Sequence, residues 1–350
     1  MENFKVYSAP RVFYNSMLKD ILNAKRKVYL ETYIYNDDYI GKLFREALYK
    51  KVKEGVRVKI LVDAWGSSAK KDFFKKIVNS GGRVRFFREF KYVVRVFTKN
   101  HERNHRKLLI VDDKIVYLGS ANITAKCLDW RELVLRINGS SARAFRSSFL
   151  RSWRSAGKIT RRKIKYYLNK GFEIVEDFPH NIERAAEKKY IHLIKRAKKN
   201  IFIETPFFIP SKKIRRALQR AVRRKVKVDI ILPYISDVRV VDIARNAYLG
   251  DLHNKGINIH YYKKSKLHSK LMIVDDSFFI LGSSNLDYRS FIHQYDINLT
   301  GNDKKLIGEL KKYFLESLKH SEPFSYDEWK RRSSFGKIIE IIFYYFRRYL

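Results

Sequence analysis

One phrase occurs twice in this chain, and no other feature constrains the fold as tightly. The first copy reads His105-Arg106-Lys107, four apolar residues, Asp112, then Gly119-Ser120-Ala121-Asn122. The second reads His268-Ser269-Lys270, four apolar residues, Asp275, then Gly282-Ser283-Ser284-Asn285. Chemically loaded residues repeated at one spacing imply a duplicated unit, and they suggest one active site made from two halves.

The duplication extends well beyond the phrase. Val28-Tyr29-Leu30-Glu31-Thr32 is echoed by Ile201-Phe202-Ile203-Glu204-Thr205, and Gly81 to Phe87 by Gly256 to Tyr262. The stretch from Ala47-Leu48 to Asp63 matches that from Ala217-Leu218 to Pro233. Each half reads strand, helix, strand, helix, strand and then a hairpin, with strands apolar enough to be covered on both faces. That pattern is α/β, made twice. At 350 residues there is room for two such domains. We place them at residues 1–170 and 171–325, followed by a tail at 326–350.

Period-two alternation on a strand puts His105 and Lys107 on one side and Arg106 on the other, and likewise His268 and Lys270. The Asp-Asp pairs at 112–113 and 275–276 read as turns into a second strand that ends in Leu-Gly-Ser. Gly119 and Gly282 permit close backbone approach, leaving the Ser and Asn side chains beside the same edge.

Lysine and arginine number 75 against 36 acidic residues, a formal charge of +39. Such a surface attracts phosphate-rich polyanions, either nucleic acid or an anionic membrane. Part of the excess also matches the composition of heat-adapted proteins. The single cysteine, Cys127, excludes an internal disulfide and a zinc-thiolate cluster. No secretory signal is legible at the N-terminus. No apolar run approaches the roughly 20 residues of a membrane crossing, so the expectation is a peripheral protein on the cytoplasmic face of the cell membrane. Residues 140–170 read as a basic amphipathic helix and connector. The tail, Trp329-Lys330-Arg331-Arg332 followed by Ile338 to Phe346 and Arg347-Arg348, suits an interfacial helix.

Two imidazoles and two ammonium groups are what phosphodiester exchange requires. One neutral histidine attacks phosphorus while the other, protonated, donates to the departing alkoxide and then deprotonates the incoming alcohol. Lys107, Lys270, Asn122 and Asn285 would hold the non-bridging oxygens, with Ser120 and Ser283 nearby. The protein supplies the positive charge, so no metal or other cofactor is required. The aromatics Tyr33, Tyr35, Phe207 and Phe208 would line the substrate route, or else belong to the core.

The duplicated phrase resembles the mark of the phospholipase D superfamily. Among its members the chain is most similar to bacterial cardiolipin synthases, on Glu31-Thr32-Tyr33-Ile34-Tyr35, Asn104-His105-Arg106-Lys107, Trp130-Arg131-Glu132, Thr205-Pro206-Phe207-Phe208-Ile209-Pro210 and Asn285-Leu286-Asp287-Tyr288-Arg289-Ser290. The resemblance implies two phospholipase D-like α/β/α sandwich domains related by a pseudo-twofold axis. It also implies an acidic residue after each Gly-Ser-X-Asn that orients a catalytic histidine, Glu132 and Asp296 here. The second of these is usually glutamate. Asp112 and Asp275 would be structural, bracing the motif's loop and lysine. His105 would be the nucleophile and His268 the acid and base. The implied reaction transfers a phosphatidyl group from one phosphatidylglycerol to another, giving cardiolipin and glycerol, at a membrane met through basic patches and the tail. The rival readings are a phospholipase D-type hydrolase, a nuclease of the same superfamily acting on nucleic acid, and a non-catalytic basic module.

Overall fold

The computed structural model describes residues 2–88, 102–156, 167–169, 171–179 and 184–346. His101 and the Arg347-Arg348 end of the tail lie outside them, as does most of the segment after Ala156 that reads as a connector. The chain forms two compact units, one comprising Met1–Lys163 with Tyr295–Ile297, the other Ile164–Gln294 with Asn298–Leu350.

In the first unit, β1 (Asn3–Tyr7), α1 (Pro10–Leu22), β2 (Lys27–Thr32), α2 (Tyr39–Lys53), β3 (Arg57–Asp63), α3 (Lys75–Asn79) and β4 (Arg83–Phe87) precede the motif. The short β5 (Arg103–Asn104), then β6 (Leu108–Val111), β7 (Ile115–Gly119), β8 (Val134–Asn138) and α4 (Ala142–Ser155) complete it. The seven-stranded sheet runs β1-β8-β7-β6-β2-β3-β4. Its β2, β3 and β4 are parallel, whereas β6 joins β2 antiparallel, with Glu31 opposite Leu108. Alternation along β2 sends Val28 and Leu30 into a core shared with Phe13 of α1 and Phe44 of α2. It sends Tyr29 to the other face, where the ring stacks on Phe149 of α4 with centroids 5.0 Å apart. Helix α4 is therefore a layer of this unit, not a link between halves.

The second unit begins with β9 (Tyr167–Asn169), β10 (Phe172–Asp177), α5 (Ala185–Arg196), β11 (Asn200–Glu204), β12 (Phe208–Ile209), α6 (Lys212–Arg223), β13 (Lys227–Pro233), α7 (Arg239–Asn254) and β14 (Asn258–Tyr262). Its motif hairpin is β15 (Leu271–Val274) and β16 (Phe278–Gly282). Then come β17 (Leu286–Asp287), α8 (Tyr288–His293), β18 (Gln294–Gly301), of which Tyr295–Ile297 belong to the first unit, α9 (Lys304–Lys319), β19 (Ser321–Pro323), α10 (Tyr326–Lys330) and α11 (Ser334–Tyr345). Reading its sheet as β10-β18-β16-β15-β11-β13-β14 reproduces the first unit's order strand for strand. The duplication seen in the sequence is thus a duplication of topology.

Both motif hairpins turn on aspartates in the left-handed region, Asp112 and Asp113 at φ 52° and 57°, Asp275 and Asp276 at φ 55° and 51°. The strain is held by hydrogen bonds. The Asp112 carboxylate accepts from the backbone N–H groups of Lys25, Arg26 and Lys27 at 2.7, 2.8 and 2.9 Å. Asp275 does the same for Lys198, Lys199 and Asn200 at 2.7, 2.7 and 2.9 Å. Each aspartate therefore pins the start of the neighbouring parallel strand, at the end of β6 or β15 remote from the histidine. Neither aspartate braces the motif lysine. Burial pushes the Asp112 carboxyl up, but the three amides outweigh it and its pKa lies below the usual range.

Replacing Asp112 by alanine should cost about 1–2 kcal/mol, discounted for the partial exposure of these bonds. Because the folded-state pKa is depressed, the stabilisation is complete above the ordinary carboxylate range and lost as pH falls through the lowered value. Melting curves of parent and variant should therefore converge in acid. Lost turnover at unchanged stability would instead place Asp112 in the chemistry.

Candidate active site

The His-X-Lys residues are not in the strand itself. His105 to Lys107 and His268 to Lys270 are extended links that end where β6 and β15 begin. They lie beyond the C-terminal ends of β2 and β11, because Glu31 pairs with Leu108 and Glu204 with Leu271. The side chains nevertheless alternate as period two requires. His105 and Lys107 both meet Tyr33, the imidazole edge-on with centroids 5.2 Å apart and Nζ 5.4 Å from the ring centroid. Arg106 points the other way, fully buried, toward Glu31 and Ser148.

That buried side explains why the phrase Glu-Thr is repeated with the motif. Glu31 takes the Arg106 Nε at 3.2 Å, the Asn104 carboxamide at 2.9 Å and the Ser152 hydroxyl. In the second unit Glu204 takes the Ser269 hydroxyl and, at 3.0 Å, the Tyr313 hydroxyl. A completely buried carboxylate thus anchors the middle residue of each motif, and its hydrogen bonds offset the cost of burying charge. Asp63 adds a second anchor, accepting the Asn104 N–H at 2.9 Å and pairing with Arg103 at 3.6 Å. Burial pushes the Asp63 carboxyl up against the pull of Arg103 and three backbone amides. None of Asn104, Arg106, Asp63 or the two glutamates was assigned a role from sequence. The duplicated Glu-Thr was the available signal.

His105 is 5% exposed, its N–H bonded to the Tyr295 carbonyl at 2.9 Å and its Nδ1 3.0 Å from Asp296 Oδ1. An ionised carboxylate only accepts, so Nδ1–H is the donor in this contact, and in the neutral imidazole the lone pair then lies on Nε2. The acid that follows the second motif therefore serves the first histidine. The missing methylene of Asp296 is taken up by backbone proximity, since the preceding residue bonds the same histidine's amide.

Lys107 Nζ donates to the His105 carbonyl at 2.6 Å, and Lys270 Nζ to the His268 carbonyl at 2.5 Å. Each ammonium is folded back over its own motif. Glu132 is fully buried and accepts the Ser120 hydroxyl, while Ser120 Oγ accepts the Leu133 N–H at 2.9 Å. Ser120 is thereby committed to holding Glu132, and Ser283 is equally buried. Gly119 makes this possible, because a Cβ there would stand 2.1 Å from the Leu133 carbonyl. Asn122 Oδ1 accepts the Ile34 N–H at 3.2 Å. Asn285 donates its backbone N–H to Ser290 at 3.0 Å, and its buried carboxamide oxygen has no hydrogen-bond partner among the described residues.

Of the four aromatics, only Tyr33 touches the motif. Tyr35 and Phe208 are fully buried members of the two cores, with the Tyr35 hydroxyl bonded to the Gly41 carbonyl at 2.9 Å, and Phe207 packs at the second core's margin. These positions correct the reading of Tyr35 and Phe208 as route-lining residues. Among the described residues no group of histidine, cysteine, aspartate and glutamate is arranged to hold a metal ion.

Comparison with known proteins agrees with this architecture. A family model described as "Cardiolipin synthase, PLD-like domain" matches residues 17–153 and 190–318. The chain is 32% identical to a cardiolipin synthase of Clostridium perfringens (strain SM101), covering 96% of this chain and 75% of that protein. It is 33% identical to the major cardiolipin synthase ClsA of Bacillus subtilis (strain 168), covering 94% and 71% respectively. Among solved structures, a phosphatidylserine synthase from Haemophilus influenzae superposes with a TM-score of 0.80 at 13% identity, over 99% of this chain and 95% of that one. At that identity the match speaks for the fold. With both motifs intact on repeated sheets, the chain belongs to the cardiolipin synthase family of the phospholipase D superfamily and is a phosphatidyltransferase.

Proposed function

We propose that the enzyme makes cardiolipin from two molecules of phosphatidylglycerol through a covalent phosphohistidine. The observation that supports this most directly is the Asp296–His105 bond, because a neutral imidazole that donates from Nδ1 has its lone pair on Nε2, the atom a nucleophile needs. Nε2 of His105 attacks phosphorus, and the bond from phosphorus to the glycerol headgroup breaks. Protonated His268 gives its proton to the departing glycerol oxygen. Neutral His268 then takes the proton from a hydroxyl of the second phosphatidylglycerol, whose oxygen attacks phosphorus. The phosphorus–nitrogen bond breaks, releasing cardiolipin and neutral His105. Lys107, Lys270, Asn122 and Asn285 are the groups assigned to the phosphate oxygens.

An anionic lipid surface is the partner this reading calls for, and the second unit has a face that suits one. Lys212, Lys213, Arg216, Arg220, Arg223 and Arg224 form an exposed cationic stripe on and just after α6, a helix without an acidic residue. Helix α11 is amphipathic in the reverse sense. Its Tyr344 packs on the core and Glu340 is buried against Arg332, while Phe335, Ile338, Ile341, Ile342, Tyr345 and the following Phe346 are 49–76% exposed. Arg215 of α6 links the two helices, lying 4.9 Å from the Tyr248 ring and 5.5 Å from the Tyr344 ring. Cations beside an outward apolar ridge match an interfacial helix, each surface cation contributing about 1 kcal/mol near an anionic leaflet. No described helix is long and apolar enough to cross a membrane.

Incubating the protein separately with phosphatidylglycerol vesicles and with single-stranded DNA tests the assignment. Mass spectrometry should show cardiolipin and glycerol in equal amounts, and a gel should show intact DNA. Phosphatidic acid as the lipid product would make the enzyme a hydrolase, and cut DNA without lipid turnover would make it a nuclease.

A further inference from the structure

In both units the strand beside the motif ends in an exposed apolar loop. Strand β3 lies next to β2 and ends at the sheet edge that carries His105, and β13 bears the same relation to β11 and His268. After β3 comes Trp65, 50% exposed; after β13 come Tyr234, Ile235 and Val238 at 54, 43 and 40%.

A lone exposed apolar residue is ordinary, but these recur at equivalent places in the two units and sit in hydrogen-bonded turns. Asp63 accepts the N–H groups of Trp65 and Gly66 at 2.9 and 3.2 Å, which fixes the turn. Gly66 presses so closely on Tyr33 that a Cβ would stand 2.7 Å from its carbonyl oxygen, and Tyr33 is the residue against His105 and Lys107. The guanidinium of Arg103, itself 1% exposed, lies 4.8 Å from the Trp65 ring centroid. The second unit repeats the arrangement. The Tyr234 carbonyl accepts from Arg245 at 3.0 Å, Ser236 accepts the Val238 N–H at 3.2 Å, and Lys263 Nζ sits 4.9 Å from the Tyr234 ring centroid. Two loops at equivalent places, each tied by hydrogen bonds, therefore hold an exposed aromatic with a cation against it. An amphipathic ring beside a cation is the combination favoured at the boundary between lipid headgroups and acyl chains.

We propose that these loops are interfacial rims, by which each unit seats its His-X-Lys edge at the headgroup level of an anionic phospholipid surface. Trp65 is the anchor in the first unit, and Tyr234, Ile235 and Val238 are the anchors in the second. The proposal rests on the phospholipid reading above and adds where the lipid surface meets the motif.

The test uses the full chain and vesicles of phosphatidylglycerol mixed with phosphatidylcholine brominated on its acyl chains. Parent tryptophan emission should shift to the blue and be quenched. Trp65→Ser should lose most of the quenchable emission, and its partition onto vesicles should fall about fivefold to tenfold, the effect of half-burying one large apolar side chain. Trp65→Phe should restore partition to within about twofold while the quenchable signal stays absent. Equal quenching in parent and Trp65→Ser, or equal partition, would overturn the rim. Neither readout needs turnover. A protein quenched through Trp65 that makes no cardiolipin would keep the rim and remove the reaction, and cardiolipin made with Trp65 unquenched would do the reverse.

Discussion

Replacing His105 by alanine should cut kcat at least about 10⁴-fold and leave the melting temperature nearly unchanged, because the proposed nucleophile is then absent. The fold should survive, since the backbone bond from residue 105 to the Tyr295 carbonyl does not depend on the side chain. His268→Ala should lose about as much with phosphatidylglycerol, whose glycerol leaving group is a poor one and needs a proton. The two variants should part company on a phosphatidyl donor with p-nitrophenol as leaving group, which departs without one. His268→Ala should then release a single equivalent of nitrophenol and stall as the phosphohistidine, detectable by mass spectrometry. His105→Ala should release none. The opposite pattern would exchange the two roles, and full activity in either variant would remove the two-histidine mechanism.

Asp296→Asn should lower kcat by about 10³- to 10⁴-fold with KM within about threefold, the size of effect produced by losing the carboxylate that fixes a histidine's tautomer. Asparagine keeps the shape but can donate as well as accept, so the Nδ1 proton is no longer enforced and Nε2 is protonated in part of the population. The loss should fall on kcat because the carboxylate acts through His105 and not on the substrate. Asp296→Glu should recover part of the rate, limited by the extra methylene in a site where the Tyr295 carbonyl already holds the His105 amide at 2.9 Å. If Asp296→Asn raised KM and left kcat intact, Asp296 would be a substrate contact and the orienting role would fall.

How much of this was legible beforehand follows the range of the interactions. The repeated spacing of histidine, lysine and aspartate is local, and it led directly to two α/β units with the same strand order. The Asp-Asp turns were legible for the same reason, since two successive left-handed residues tolerate few side chains. What those aspartates hold was not. Their acceptor oxygens reach backbone amides more than 70 residues away, on the neighbouring strand. Tyr35 and Phe208 could be read as site or core with equal justice, because an aromatic beside a motif is compatible with either. Only packing against Phe73 and Phe74, or against Tyr248, decides it.

By itself the sequence determined the chemistry available, two imidazoles and two ammonium groups on repeated sheets, because residue type and short spacing follow from covalent order alone. The tertiary structure decided the partnerships. Asp296 comes to His105 across 191 residues, Glu31 comes to Arg106 across 75, and the Trp65-Gly66 turn packs on Tyr33 with no space for a side chain at Gly66. Which residues meet depends on which strands lie side by side and how far each extends, and no local pattern of residues encodes that.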